Sequence, residues 1–353
     1  MNKILLSILF LATFITNANA QNVNIPDANF KAYLVGNSSI NTNGDTEIQT
    51  SEATAFTGEI NCSNLAIVDL TGIDAFTGLT QLYCTDNQLT AIDISNCTNL
   101  LVFRCSKNQL TALDITSNIN LTTLYCNDNN LTSLDVSANV NLIKLYCGEN
   151  QLTSLDVSTN VNLTTLHFNF NQITSIDVST NINLTLLYFT NNQLTSVDAS
   201  TNASLTHFRC IGNQLTRINV ANGNNNNVID FVTIGNPNLT CIQVDDVVYS
   251  TANWANVDAT SSFSLNCFFP VSTSKLEKTT TKIYPNPVQD QLFFELENEV
   301  IKAITIVDFS GKVVQSISNP TTKSINVSNL PKGIYVLNIS TKNGMSTNRF
   351  VKQ

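Results

Sequence analysis

A 21-residue period governs the middle of this 353-residue chain and constrains its fold more than any other feature. Leu79, Leu100, Leu121, Leu142, Leu163, Leu184 and Leu205 each open a unit. Three residues later stand Leu82, Phe103, Leu124, Leu145, Leu166, Leu187 and Phe208. Two further on come Cys84, Cys105, Cys126, Cys147, Phe168, Phe189 and Cys210, and three after those an Asn at 87, 108, 129, 150, 171, 192 and 213. One unit cannot bury its own apolar stripe, so neighbours must stack until the stripes fuse into a core. The L-x-C segments predict short strands about 4.8 Å apart in a parallel sheet. The Asn stands where the chain leaves that sheet, placed to bond backbone groups of its own turn and the next. The second half of each unit, such as residues 152–158, alternates apolar and polar and predicts a short extended segment, not a long helix.

This pattern resembles the leucine-rich repeat, with Cys or Phe in the third apolar slot. It predicts a mainly β chain whose repeat solenoid spans residues 59–242. The copies decay at both ends, as caps do. A shortened unit begins at Ile60-Asn61-Cys62, and the polar run 222–227 precedes a degenerate unit through Phe231. Residues 21–58 read as an N-terminal cap with a short helix at 25–35, Pro26 in its first turn. Residues 243–268, with Trp254, read as the C-terminal cap.

Export is written at the N-terminus. Lys3, an apolar run over 4–15 and Ala18-Asn19-Ala20 form a secretory signal over residues 1–20, cleaved before Gln21. The run is shorter than the roughly 20 residues a membrane helix needs, and no second one follows, so no transmembrane segment is expected after cleavage. Residues 21–281 carry a net charge of −13 (8 basic, 21 acidic). Such an acidic body argues against nucleic acid, whose phosphates call for clustered Lys and Arg.

Nine cysteines in an exported chain raise the question of disulfides, and the odd number leaves at least one unpaired. Cys84, Cys105, Cys126 and Cys147 share one core column. Parallel in-register strands hold them too far apart and too parallel to bridge easily, so they read as buried thiols filling space. Cys241 and Cys267 lie outside the column and are the candidate disulfide.

The run 41–52 resembles an EF-hand calcium loop. Asn41, Asn43, Asp45, Gln49 and Glu52 carry oxygens at positions 1, 3, 5, 9 and 12, Glu47 supplies position 7, and Ile48 is the apolar position 8. It departs from that pattern at Thr46, where Gly makes the sharp turn, and at Asn41, where Asp is usual. The alternative is a polar capping turn. No other cofactor is implied.

On each strand the residue between the inward Leu and Cys points outward. That column reads Tyr83, Arg104, Tyr125, Tyr146, His167, Tyr188 and Arg209, flanked by Lys144, Thr165, Leu186 and His207. Planar amphipathic groups in a row suit a protein or glycan ligand; equally, neighbouring rings can simply stack and stabilise the sheet. No G-x-S-x-G, H-E-x-x-H or phosphate loop occurs. The Asp residues at 93, 114, 135, 156, 177 and 198 follow the period and read as turn-capping. An enzyme, in particular a hydrolase, is therefore not expected.

After a Ser/Thr/Lys linker at 269–281, strand-like runs fall at 292–296, 303–308, 324–327 and 334–339, predicting a small β-sandwich. Its landmarks are Tyr284-Pro285-Asn286-Pro287, Asp308-Phe309-Ser310-Gly311-Lys312 and Leu330-Pro331-Lys332-Gly333-Ile334-Tyr335. Together they resemble, over residues 282–353, the type A sorting domain of the Bacteroidetes type IX secretion system. The resemblance implies passage through the periplasm, engagement by that machinery, and release or attachment at the cell surface. The solenoid resembles secreted bacterial repeat proteins of the internalin-like kind, which implies recognition of an extracellular protein or glycan; a structural surface component without a discrete ligand is the alternative.

Overall fold

In the computed structural model the described residues are 21–267, 282–295, 301–308, 313–318, 320, 322–341 and 345–353. The signal segment, the linker and Gly311 lie outside them. The chain divides into two compact units between Phe268 and Phe269.

The first unit is the solenoid. Its strands are β1 (Glu59–Asn61), β2 (Gln81–Tyr83), β3 (Val102–Arg104), β4 (Thr123–Tyr125), β5 (Lys144–Tyr146), β6 (Thr165–His167), β7 (Leu186–Tyr188), β8 (Ser196–Asp198) and β9 (His207–Arg209). Four more follow: β10 (Arg217–Asn219), β11 (Asp230–Val232), β12 (Cys241–Gln243) and β13 (Ser262–Ser264). Nine of them form one sheet, in the order β1-β2-β3-β4-β5-β6-β7-β9-β11, and β13-β12-β10-β8 form a second. All pairings in both sheets are parallel and in register with the repeat, as Tyr125 opposite Tyr146 illustrates. The second sheet is where the extended half-units of the last repeats become hydrogen-bonded strands.

The Leu, Phe and Cys columns are buried, Leu82, Leu124 and Cys126 completely. Burying one such Leu contributes about 2 kcal/mol, and the column repeats it in every turn. The Asn that ends each strand closes two turns at once. The Asn108 side-chain amide donates to the carbonyls of Cys84 and Cys105, both at 3.0 Å, and its Oδ1 accepts from the Leu89 amide.

A second buried Asn column, not anticipated, runs through Asn118, Asn139, Asn160, Asn181 and Asn202. Asn160 donates to the carbonyls of Val136 at 3.0 Å and Asn139 at 2.8 Å. Only the donor half of each amide is used, since the Oδ1 atoms have no partner. This explains why Cys97, itself only a weak thiol donor, can hold the same place one repeat earlier, pointing at the Ile73 carbonyl.

Helix α1 (Ala28–Val35) starts later than the expected 25–35, because Asp27 accepts from the Asn29 and Phe30 amides and so caps it. Pro26 precedes that cap instead of entering the first turn. Helix α2 (Thr50–Ala55) begins on a capping box between Gln49 and Glu52. At the other end α3 (Val247–Asn253) precedes Trp254, which stacks on Phe231 at 4.1 Å. Cys241 and Cys267 form a disulfide, and the other seven cysteines are free and buried.

The second unit has β14 (Lys282–Tyr284), β15 (Gln291–Glu295), β16 (Ile301–Val307), β17 (Val313–Ser318), β18 (Ser324–Asn326), β19 (Gly333–Thr341) and β20 (Met345–Lys352). They form two antiparallel sheets, β14-β15-β18 and β17-β16-β19-β20, which share one core including Leu292, Phe294, Ile304, Ile325, Leu337 and Phe350. Strands β14, β17 and β20 are additional to the four read from the sequence.

Candidate binding face

The outward column of the nine-stranded sheet is one continuous stack. The Arg104 guanidinium lies 4.9 Å from the Tyr83 ring centre and 4.7 Å from that of Tyr125. Tyr125 and Tyr146 are parallel at 4.3 Å, His167 follows Tyr146 at 5.5 Å, and Tyr188 meets His167 edge-on at 6.1 Å. Arg209 closes the row 5.2 Å from Tyr188. All seven expected residues thus come together. Thr165, expected outward beside them, is buried instead, set between the longer side chains of Lys144 and Leu186 on the adjacent strands.

Stacking fixes the rings and burial shifts their ionisation. Burial, and then the neighbouring Tyr125, push Tyr146 up. Burial holds His167 below the usual imidazole range. Asn169 accepts the Thr190 amide at 2.7 Å through Oδ1, so its Nδ2 donates to His167 Nε2 at 2.9 Å, leaving the proton of the neutral ring on Nδ1. The ring leans over Gly148, where a Cβ would come within 3.2 Å of it, a tight contact that the ring would have to ease by a few tenths of an ångström.

The two arginines differ. Arg209 is committed: its Nε donates to Asp230 at 2.6 Å, and Tyr188 donates to the same carboxylate at 2.8 Å. Burial pushes Asp230 up, but these bonds outweigh it and hold it below the usual range. Among the described residues no carboxylate pairs with Arg104.

Two features of this face were not read from the sequence. Asp230 belongs to the degenerate repeat after the polar insertion, outside the regular column. Phe170 sits in the turn after β6, where Asp86, Lys107, Asp128, Glu149 and Asn191 also have positive φ; its own φ is 55° and its side chain is 52% exposed. That conformation disfavours a bulky side chain, and one aromatic among polar residues breaks the period visibly.

The loop residues 41–52 satisfy one another. Glu52 Oε1 accepts from the Thr42 and Asn43 amides, its Oε2 from the Gln49 amide, and the Asn43 and Gln49 side-chain nitrogens both donate to Asp45. Asn41 accepts from the Gly44 amide, and Glu47 pairs with Lys31. N–H donors, not oxygens, converge on Asp45, and among the described residues no group of three His, Cys, Asp or Glu side chains is set to hold a metal. As arranged, these residues bond one another as a capping turn does.

In the second unit, Asn286 clamps β20 by donating to the Arg349 carbonyl and accepting from the Val351 amide. Tyr335 donates to the Pro331 carbonyl at 2.9 Å and stacks on Phe350. Tyr284 stacks on Phe293, Leu330 packs against the core, Gly333 opens β19 and Asp308 follows β16; Pro285 and Pro287 both follow cis peptide bonds.

A parallel sheet rebuilt every 21 residues, sealed by buried Asn columns, defines a leucine-rich-repeat solenoid. The family described as Leucine Rich repeats (2 copies) matches residues 140–181, and the Secretion system C-terminal sorting domain matches residues 282–353. Internalin J of Listeria monocytogenes is 42% identical over 53 residues, 15% of this chain; the match spans 6% of that relative's length. Among solved structures, the functional domain of InlJ from Listeria monocytogenes, whose description includes a cysteine ladder, is 21% identical with a TM-score of 0.35, covering 94% of this chain and 98% of its own. Internalin C2 of the same species is 20% identical with a TM-score of 0.44, covering 69% of this chain and 98% of its own. The chain thus carries leucine-rich repeats, similar over a short stretch to those of an internalin, and a secretion-system C-terminal sorting domain, which marks it for export to the cell surface or the extracellular space.

Proposed function

We propose that this protein is a recognition protein, not an enzyme, and that its ligand, a protein or a glycan, meets the strand face from Tyr83 to Arg209. The observation that carries this reading is the locked row of planar side chains. Rings already fixed by their neighbours lose little freedom when a ligand lands, so more of the contact energy appears as affinity. Neither histidine is hydrogen-bonded to a carboxylate: His167 meets Asn169, and His207 meets the Thr206 hydroxyl, which also lies 3.1 Å from the Thr185 carbonyl.

A second reading has its own observation. The 4.3 Å stacking of Tyr125 on Tyr146 stabilises the sheet whether or not anything binds. The double variant Tyr125→Ala/Tyr146→Ala, tested on protein and glycan arrays against the native chain, separates the two. Loss of captured ligands with folding retained supports recognition; unchanged capture with lower stability supports a purely structural row.

A further inference from the structure

The outward column changes character at its N-terminal end. Tyr83 has Arg104 on one side and Asn61, a much shorter side chain, on the other, in register on β1. The step down from ring to amide opens a cleft of about 540 Å³ lined by Asn61, Ser63, Asn64, Tyr83, Thr85 and Arg104. The cleft is shallow and open to solvent, the form of a surface subsite and not of an enclosed pocket.

We propose that this cleft binds the carboxylate of an acidic sugar, with a uronate ring against Tyr83 and its carboxylate on the Arg104 fork; the idea rests on the recognition reading of the strand face. Arg104 is pre-organised for the task. Its guanidinium faces are held between Tyr83 and Tyr125, while its side chain remains exposed and unpaired with any carboxylate among the described residues. A planar fork held at a fixed angle suits a carboxylate's two oxygens. Arg209, by contrast, already spends its Nε on Asp230.

The remaining walls favour a sugar over an acidic peptide. The C–H face of a pyranose packs on an aromatic ring, and Tyr83 lines the cleft where its neighbour on β1 is only an amide. The side-chain nitrogen of Asn61 and the hydroxyls of Ser63 and Thr85 are uncommitted among the described residues and sit where sugar hydroxyls need partners. The acidic body opposes an anion at long range, but charges beyond about 8 Å are largely screened at physiological salt.

The test is calorimetry on the full chain with tri-galacturonate, its methyl ester and hexaglutamate. Tri-galacturonate is expected to bind with a Kd of about 1 mM or tighter. Arg104→Gln and Arg104→Lys should both weaken it, the former about 10- to 100-fold, and the neutral ester should bind at least about 10-fold more weakly. Equal binding of the ester, or Arg104 variants that bind like the native chain, overturns the proposal. Hexaglutamate binding as tightly as the sugar also overturns it and moves the site to acidic protein. Absence of any binding overturns it too, while the tyrosine double variant, read on arrays, still decides whether the face recognises something else.

Discussion

Tyr188 reaches past β9 to donate its hydroxyl to Asp230 at 2.8 Å, and the same carboxylate takes Arg209. Burial and then Asp230 push Tyr188 up to about 12. Because Asp230 titrates below its unfolded value, the tie stabilises the fold above about pH 4 and is lost as pH falls through the lowered value. Asp230→Asn should cost about 1 kcal/mol at pH 7, kept small by the exposure of Arg209. Urea melts from pH 7 to 3 should show a shallower acid slope in the variant, and tyrosine absorbance titration should show Tyr188 ionising earlier.

The buried Asn column can be set against an exposed one in the same turn. Asn160 makes two bonds and is fully buried; Asn162, two residues on, makes one 3.2 Å bond to the Val140 carbonyl and is exposed. Asn160→Ala removes the second hydrogen bond from two carbonyls that each keep a backbone amide and leaves a small cavity, so it should cost about 2 kcal/mol, Asn162→Ala less than about 0.5 kcal/mol. Equal losses in denaturant melts would show that the buried column is not what seals the turns.

The period made the core columns, the turn Asn and the outward row legible, because a strict repeat converts spacing into position. Asn160 recurs every 21 residues just as plainly, yet its burial was not, since polar residues in a turn ordinarily face water. Strands β14, β17 and β20 were missed; all three lie at sheet edges, but so does β18, whose apolar alternation made it readable. The run 313–317, for instance, is exposed or half-buried throughout. The commitment of Arg209 was hidden because Asp230 enters from beyond an insertion that breaks the register.

The cysteines should divide by reactivity. Burial pushes the Cys62, Cys97 and Cys147 thiols up to about 12, and no thiolate forms near neutral pH for a reagent to meet. In native buffer none of the seven free thiols should react with a disulfide reagent, and all seven should react in denaturant. Cys241→Ser/Cys267→Ser opens a 26-residue separation and should cost about 3 kcal/mol. Fast labelling of any free thiol in the native chain would contradict the sealed column.

The 41–52 loop offers a cation little. Calcium needs six to eight oxygens, and here the Asn43 and Gln49 nitrogens occupy the approach to Asp45. Calorimetry with calcium at about 1 mM, the weak extracellular range, should give no heat. Glu52→Gln should nonetheless destabilise the cap, since Glu52 holds three backbone amides. A saturable heat abolished by Glu52→Gln would reverse this and make the loop a calcium site.

Phe170 should invert the ordinary ranking of alanine over glycine. In the left-handed region an L side chain costs about 1–2 kcal/mol that glycine avoids. Phe170→Gly and Phe170→Ala lose the same ring, so contact energy cancels between them. The glycine variant should be the more stable by about 1 kcal/mol in denaturant melts. Alanine as the more stable would mean that the turn relaxes and stores no strain. A bulky residue held in that conformation, half exposed in the turn after β6, is the pattern expected of a contact residue. Ligands captured by the strand face should therefore bind less tightly to both variants, even to the one that folds better than alanine.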